Sequence, residues 1–251
     1  PVLLSPILRL VREYQLTSLA DLFAFRYRSQ TAGVLVTVFM LAGTLPYISL
    51  QIRAVTESAS VLTQQFAPQY LSLGFCILVV LFAVLFGARH ISPREKHEGL
   101  VVAIAFESLV KLLALALVAI VAMSSIFDGV SGLNHWLDTH PEALEAMYTP
   151  AREGPWISIL ILSFAAAFLL PRQFHMLFTE NIAPGTLARA AWGFPLFLLV
   201  LNLAIPIVLW AAIKQNLGTA PDYHVLGIAR HTGSAALTIF VFLGGLSAAS
   251  A

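Results

Sequence analysis

Residues 100–122 read LVVAIAFESLVKLLALALVAIVA, a run that is apolar apart from Glu107, Ser108 and Lys111. It is long enough to cross a bilayer as one helix, which needs about 20 mostly apolar residues. A charge near the middle of such a span costs at least roughly 2.5 to 3.5 kcal/mol on insertion scales, so each of the two charges needs a partner, a water-filled cavity or a task. Glu107 and Lys111 stand four residues apart with the glutamate first, the better orientation for a helical pair. We expect an intramembrane ion pair, Glu107 with Lys111, that fixes the packing of this helix; the alternative is a proton or substrate path.

The rest of the chain agrees with a spanning helix here. Hydrophobic residues make up 59% of the 251 and charged residues 11%, with a mean hydropathy of +0.85. A soluble domain has about 45–50% and about 25%. The class is therefore all-α integral membrane. A formal net charge of +1 gives no footing for nucleic acid. Cys76 is the single cysteine and lies in an apolar run, where it can neither pair nor gather a metal. His90 and His97 do not form the HExxH metal pattern, and no nucleophile stands with a base, so no metal ligand, cofactor or catalytic residue is expected.

Five complete spans are predicted, at 31–52, 70–86, 100–123, 156–178 and 190–213, with a sixth beginning near Ala235. The whole of 1–251 is read as a single transmembrane domain, and as a piece of a longer protein. Lysine and arginine set its orientation. Arg9, Arg12, Arg26 and Arg28 precede the first span, Arg89, Arg94 and Lys96 follow the second, and Arg172 and Arg189 follow the fourth. The alternate connections hold only Arg53, then Arg152, then Lys214 and Arg230. The first group of connections is thus assigned to the inside. The connection 128–155 sets Asp128, Asp138, Glu142, Glu145 and Glu153 against Arg152 and fits the outer face. Within it, Thr139 is expected to cap a short surface helix that begins at Pro141.

The fourth span is not uniform. In SFAAAFLLPRQFHMLFTEN, residues 163–181, Pro171 removes a backbone donor and is followed by Arg172, Gln173 and His175. A break in a membrane helix survives only where protein or water satisfies the freed groups, and transporters place such breaks at the substrate site. The alternative is a helix that ends at the cytoplasmic interface just before the proline. In the first span, Pro46 can free a carbonyl, while Tyr47, Ser49 and Gln51 bring polar groups into an apolar helix.

Three stretches resemble one family: SLADLFAFRYRSQ at 18–30, HEGLVVAIAFESLVKLLA at 97–114 and PRQFHMLFTENIAPGTLARAAWGFPLFLLVLNLAIPI at 171–207. They look like the sodium/solute symporter family, in particular its subgroup of symporter-like domains joined to bacterial sensor histidine kinases. The resemblance covers nearly the whole chain. It implies a five-plus-five inverted-repeat (LeuT-like) transporter fold in the bacterial inner membrane, running here from the end of the second core helix to the start of the eighth. The family's first core helix, which supplies part of both its sites, would lie before Pro1. The implied function is sodium- or proton-coupled symport of a small organic solute, an amino acid by analogy. The alternative is a sensor domain reporting to a fused kinase module and its response regulator.

By the same resemblance, Ser163, Phe164 and Phe168 would line and gate a substrate cavity, with Tyr47 and Gln51 added from the first span. Ser247 and Ser250 would stand where the family places a hydroxyl pair that binds sodium. Here Ala248 follows Ser247, a departure that weakens the expected sodium site and favours a proton. The plainer reading of GGLSAASA is close helix packing through small residues four apart, Gly244 with Ala248.

Overall fold

Pro171 and the residue before it set the most informative local feature of the fold. A proline disfavours helical backbone at the preceding position, and Leu170 is extended, at φ −65° and ψ 135°. One helix therefore ends at Leu169 and another starts at Pro171, bent by 48° from the first. The structure is a computed structural model that describes residues 4–63, 68–87, 98–181, 183, 185–218 and 220–250.

Every element among the described residues is helical. In chain order these are α1 (Leu4–Glu13), α2 (Leu19–Tyr27), α3 (Gln30–Thr63), α4 (Pro68–Phe82) with a π-helical turn Ala83–Gly87, α5 (Glu98–Ser125), α6 (Val130–Thr139) and α7 (Pro141–Glu153). There follow α8 (Trp156–Leu169), α9 (Pro171–Phe174) with a π-helical turn His175–Thr179, α10 (Gly185–Lys214), a 3-10 turn Pro221–Tyr223, α11 (His224–His231) and α12 (Ala235–Ser250). Three helices among the described residues, α3, α5 and α10, are long and apolar enough to cross a membrane, and the α8–α9 pair passes the same test when its two bent halves are taken as one span. By length and composition these helices fit a membrane-protein fold.

Several expected boundaries move. The helix predicted to end at Ile52 runs on to Thr63, because nothing in RAVTESASVLT breaks it. At 34 residues it is about 51 Å long, well beyond the roughly 30 Å of a hydrocarbon core, so polarity ends the span without ending the helix. The second predicted span is covered by a 15-residue α-helix and its π turn, whose apolar stretch, Tyr70–Leu85, is shorter than those of α3, α5 and α10. The fourth is the broken pair. In the connection 128–155 two helices form where one was expected. Thr139 is the last residue of α6, its Oγ1 donating to the carbonyls of His135 and Trp136 at 3.2 and 2.9 Å, so it closes α6 and does not cap α7. The connection with Arg89, His90, Arg94, Lys96 and His97 lies outside the described residues.

The chain divides into two compact units. The first comprises residues 1–53, 72–102 and 156–195. Its core joins Leu8 and Val11 of α1, Leu19 of α2, Phe174, Phe178 and Leu187. Phe174 and Phe178 are each 1% exposed, so the segment after the break is itself core. Burying a phenylalanine contributes about 1.5 to 3 kcal/mol. The start of α2 is fixed by a capping box: Ser18 Oγ accepts from the Asp21 N–H at 3.1 Å, and Asp21 Oδ2 accepts from the Ser18 N–H at 3.0 Å.

Burial pushes the Asp21 carboxyl up, but the side-chain and backbone hydrogen bonds from Thr17 and Ser18 outweigh it and hold the group below its ordinary value. A depressed native pKa means that the cap's contribution is complete above the ordinary carboxylate range and is lost as pH falls through the lowered value. An NMR titration of the Asp21 carboxyl should give a midpoint below 3.8; a midpoint at or above that value would contradict the capping account.

The second unit comprises residues 54–71, 103–155 and 196–251. Its core includes Val118 and Ala122 of α5, Ala211 of α10, Ile228 and Ala229 of α11, and Val241 of α12. The helices α6 and α7 pack on this core through Leu133, Trp136 and Ala143, and Trp210 Nε1 donates to the Ala143 carbonyl at 3.3 Å. Lys214, in the last turn of α10, donates to the Ile126 carbonyl at 2.6 Å and sits 4.8 Å from the centre of the Phe127 ring. It thereby satisfies a carbonyl just beyond the end of α5.

Candidate functional site

Within the first unit the break brings apolar and polar groups to one place. The last turn of α8 ends in carbonyls that have no intrahelical donor, since the extended Leu170 and the missing N–H of Pro171 stop the ladder. Phe164 and Phe168, one turn apart near that end, meet edge to face at 5.4 Å between ring centres. Phe168 packs on the unit's core, whereas Phe164 is 65% exposed and Ser163 is exposed. A cavity of about 360 Å³ opens beneath the break, and Phe168, Phe174 and Phe178 form part of its wall.

Tyr47 and Gln51 are not gathered there. From α3, Val36 and Met40 pack on the core. Tyr47 and Gln51 come two and three turns later; Tyr47 is 54% exposed and Gln51 half-buried. The hydroxyls near Pro46 bond their own helix: Thr44 Oγ1 donates to the Met40 carbonyl at 2.7 Å and Ser49 Oγ to the Leu45 carbonyl at 3.0 Å. Of the five residues predicted to bind substrate, Phe164 and Phe168 touch, and Phe168 alone lines the cavity.

Beyond the break lies a buried polar group that sequence reasoning did not single out. Glu180 is 7% exposed, and its Oε1 stands 3.1 Å from His175 Nε2. Its backbone N–H donates to the His175 carbonyl at 2.9 Å, closing the π-helical turn. Beside it, Arg12 of α1 donates from one guanidinium nitrogen to both the backbone carbonyl and Oδ1 of Asn181, at 2.9 and 3.0 Å. Thr179 Oγ1 donates to the Thr17 carbonyl at 3.3 Å. These bonds fasten the broken end of the α8–α9 pair to α1 and to the start of α2. The pattern Phe174, His175, Phe178, Thr179 carries the signal: the two phenylalanines four apart mark an inward face.

The remaining predicted residues belong to the second unit. Glu107 and Lys111 lie one turn apart on one face of α5, and both are half-buried. Ser247 Oγ donates to the Glu107 carbonyl at 3.2 Å. A hydroxyl that donates its proton this way keeps its lone pairs, so the bond is compatible with a cation ligand and equally with plain helix packing. Ser250 closes α12, and its side chain lies outside the described residues. Sequence reasoning missed a second polar cluster in this unit, in which the Tyr223 hydroxyl donates to Glu57 Oε2 and Arg230 donates to the Val61 carbonyl. Glu57 and Val61 stand on the part of α3 beyond the predicted span, which is why a reading confined to the span passed over them.

Comparison with protein-family models, with curated proteins and with solved structures finds no match for this chain.

Proposed function

We propose that this chain is the membrane part of a cation-coupled symporter that moves a small organic solute, an amino acid, across the bacterial inner membrane. The observation that supports the reading best is the 48° break at Leu170–Pro171 in an otherwise apolar helix pair. Carbonyls at the end of a half-helix complement a cationic group, such as the ammonium of an amino acid or a coupling ion. The Phe164–Phe168 pair beside the break supplies aromatic surface for the solute's apolar part. Sodium or a proton is the coupling ion, and the Ser247-Ala248 sequence favours the proton. The chain itself carries no enzymatic step in this reading. A second role, sensing the same solute for a fused histidine kinase and its response regulator, is favoured by the resemblance of residues 97–114 and 171–207 to sensor-linked symporter domains. It requires only that solute binding shift the bundle between two conformations.

Uptake of each of the twenty labelled amino acids by cells producing the intact protein tests the reading. At least one should accumulate above the control strain, respond to an imposed pH gradient and persist without sodium. Pro171→Leu, which restores a helical donor at the break, should lower that uptake at least about tenfold while the protein still reaches the membrane. Accumulation equal to the control for all twenty would sink the transport reading.

A further inference from the structure

The cavity under the break has an unusual surround. Its wall is apolar, formed by Ile7 of α1, Leu22 and Phe23 of α2, and Phe168, Phe174 and Phe178. At about 360 Å³ it has the size of a small-ligand site. Arg26 and Tyr27, at the end of α2, are the polar residues of its lining. A second hollow of about 680 Å³ also has Arg26 in its wall, together with Tyr14, Arg28, Ser29 and Gln30. One arginine is thus common to an apolar cavity and a polar, cationic one.

That arrangement calls for an occupant with an apolar end and an anionic end joined over Arg26. The local charge is one-sided: Arg9, Arg12, Arg26 and Arg28 stand on or next to α1 and α2, against Glu13 and Asp21. Asp21 Oδ2 is already engaged by Thr17 and Ser18, so it is a poor internal partner for the arginines. Arg12 is turned to Asn181, which leaves the exposed Arg26 and Arg28 at the polar hollow. Tyr27, 66% exposed, brings the amphipathic ring that suits the boundary between headgroups and acyl chains. Basic residues just before a spanning helix attract anionic lipid on the inner leaflet.

We propose that this bipartite hollow binds one anionic phospholipid, with an acyl chain in the cavity walled by Leu22, Phe23 and Phe174 and the phosphate-bearing headgroup held by Arg26 and Arg28. The lipid completes the packing of α1 and α2 against the segment after the break; its site shares Phe168 with the predicted solute residues and excludes Tyr47, Gln51, Ser163 and Phe164.

Native mass spectrometry of the intact protein, released from mixed micelles of phosphatidylglycerol and phosphatidylcholine in equal amounts, reads the occupant directly. One phosphatidylglycerol should be retained in preference to phosphatidylcholine. Arg26→Gln with Arg28→Gln should cut that preference by about fivefold per arginine removed and leave phosphatidylcholine retention unchanged. Both side chains are exposed, so this variant keeps its fold. Leu22→Trp, which fills the cavity, should reduce retention of both lipids. Equal retention of the two lipids by the parent protein, or an unchanged preference in the double arginine variant, overturns the proposal. Photocrosslinking from benzoylphenylalanine placed at Phe23 identifies the neighbour independently: a lipid adduct supports the site, and the absence of any lipid adduct overturns it.

Discussion

Gly132→Ala is expected to destabilise the protein by more than about 3 kcal/mol, an overpacking effect at the top of the usual range. A Cβ at this position would stand 1.7 Å from the Phe127 carbonyl oxygen and 2.9 Å from its carbon. Both are backbone atoms, which cannot turn aside as a side chain can. The turn that brings them together is already constrained, with Asp128 at φ 56° and Gly129 at φ 96°, and its Gly129 N–H donates to the Met123 carbonyl at 2.8 Å. Relief of the clash therefore requires α6 to leave the end of α5 and take Leu133 and Trp136 out of the second unit's core. Thermal unfolding of purified Gly132→Ala beside Gly245→Ala checks this. Gly245 has nothing within 4 Å of its added Cβ, so alanine there should be neutral or slightly stabilising. Equal melting of Gly132→Ala and the parent would refute the turn geometry.

The second large effect is expected at Gly244→Leu. The Cβ of residue 244 would lie 2.6 Å from the Ala114 Cβ and 3.8 Å from the Val110 carbonyl oxygen. Near it along α12, Ser247 bonds the Glu107 carbonyl. Small residues let α5 and α12 approach closely enough for that bond, as in small-residue helix pairs generally. Leucine at 244 must push the helices apart and should abolish a well-folded second unit. Gly244→Ala should cost about 1 to 3 kcal/mol, and Ser247→Ala about 1 kcal/mol for the lost hydrogen bond. The double variant Gly244→Ala with Ala114→Gly should be more stable than Gly244→Ala alone. No recovery in the double variant would show that the two residues do not meet as described.

The pair Gly244 and Gly245 shows where the sequence stopped being legible. The small residues Gly244 and Ala248, four apart, pointed to close packing of α12 on another helix; Gly244 does meet Ala114 on α5, whereas Ala248 is exposed. Spacing along one helix cannot name a residue on another. Length and composition did identify the long apolar helices, since those properties are local sums. Helix ends were less legible: α3 continues to Thr63 because leaving the membrane does not break a helix. The polar residues of PRQFHMLFTEN left its place open between a broken span and a helix end at the interface, and they gave no sign that Phe174 and Phe178 would be buried core. Conversely, Pro171 announced the break correctly, because the restriction on the preceding residue acts within two positions. The proposed solute residues are the least legible part, for a cavity depends on several helices at once.

The most direct measurement of the central claim, a solute site at the α8–α9 break, is the reactivity of a single cysteine at Ser163. In a background with Cys76 replaced, Ser163→Cys should react with a small polar thiol reagent, since a solute path along α8 brings water to this position and lipid does not support the reactive thiolate. The amino acid found to accumulate in uptake should slow that reaction at saturating concentration by about tenfold or more, the protection expected when a bound solute excludes reagent. A rate unchanged by every accumulated amino acid would contradict the account.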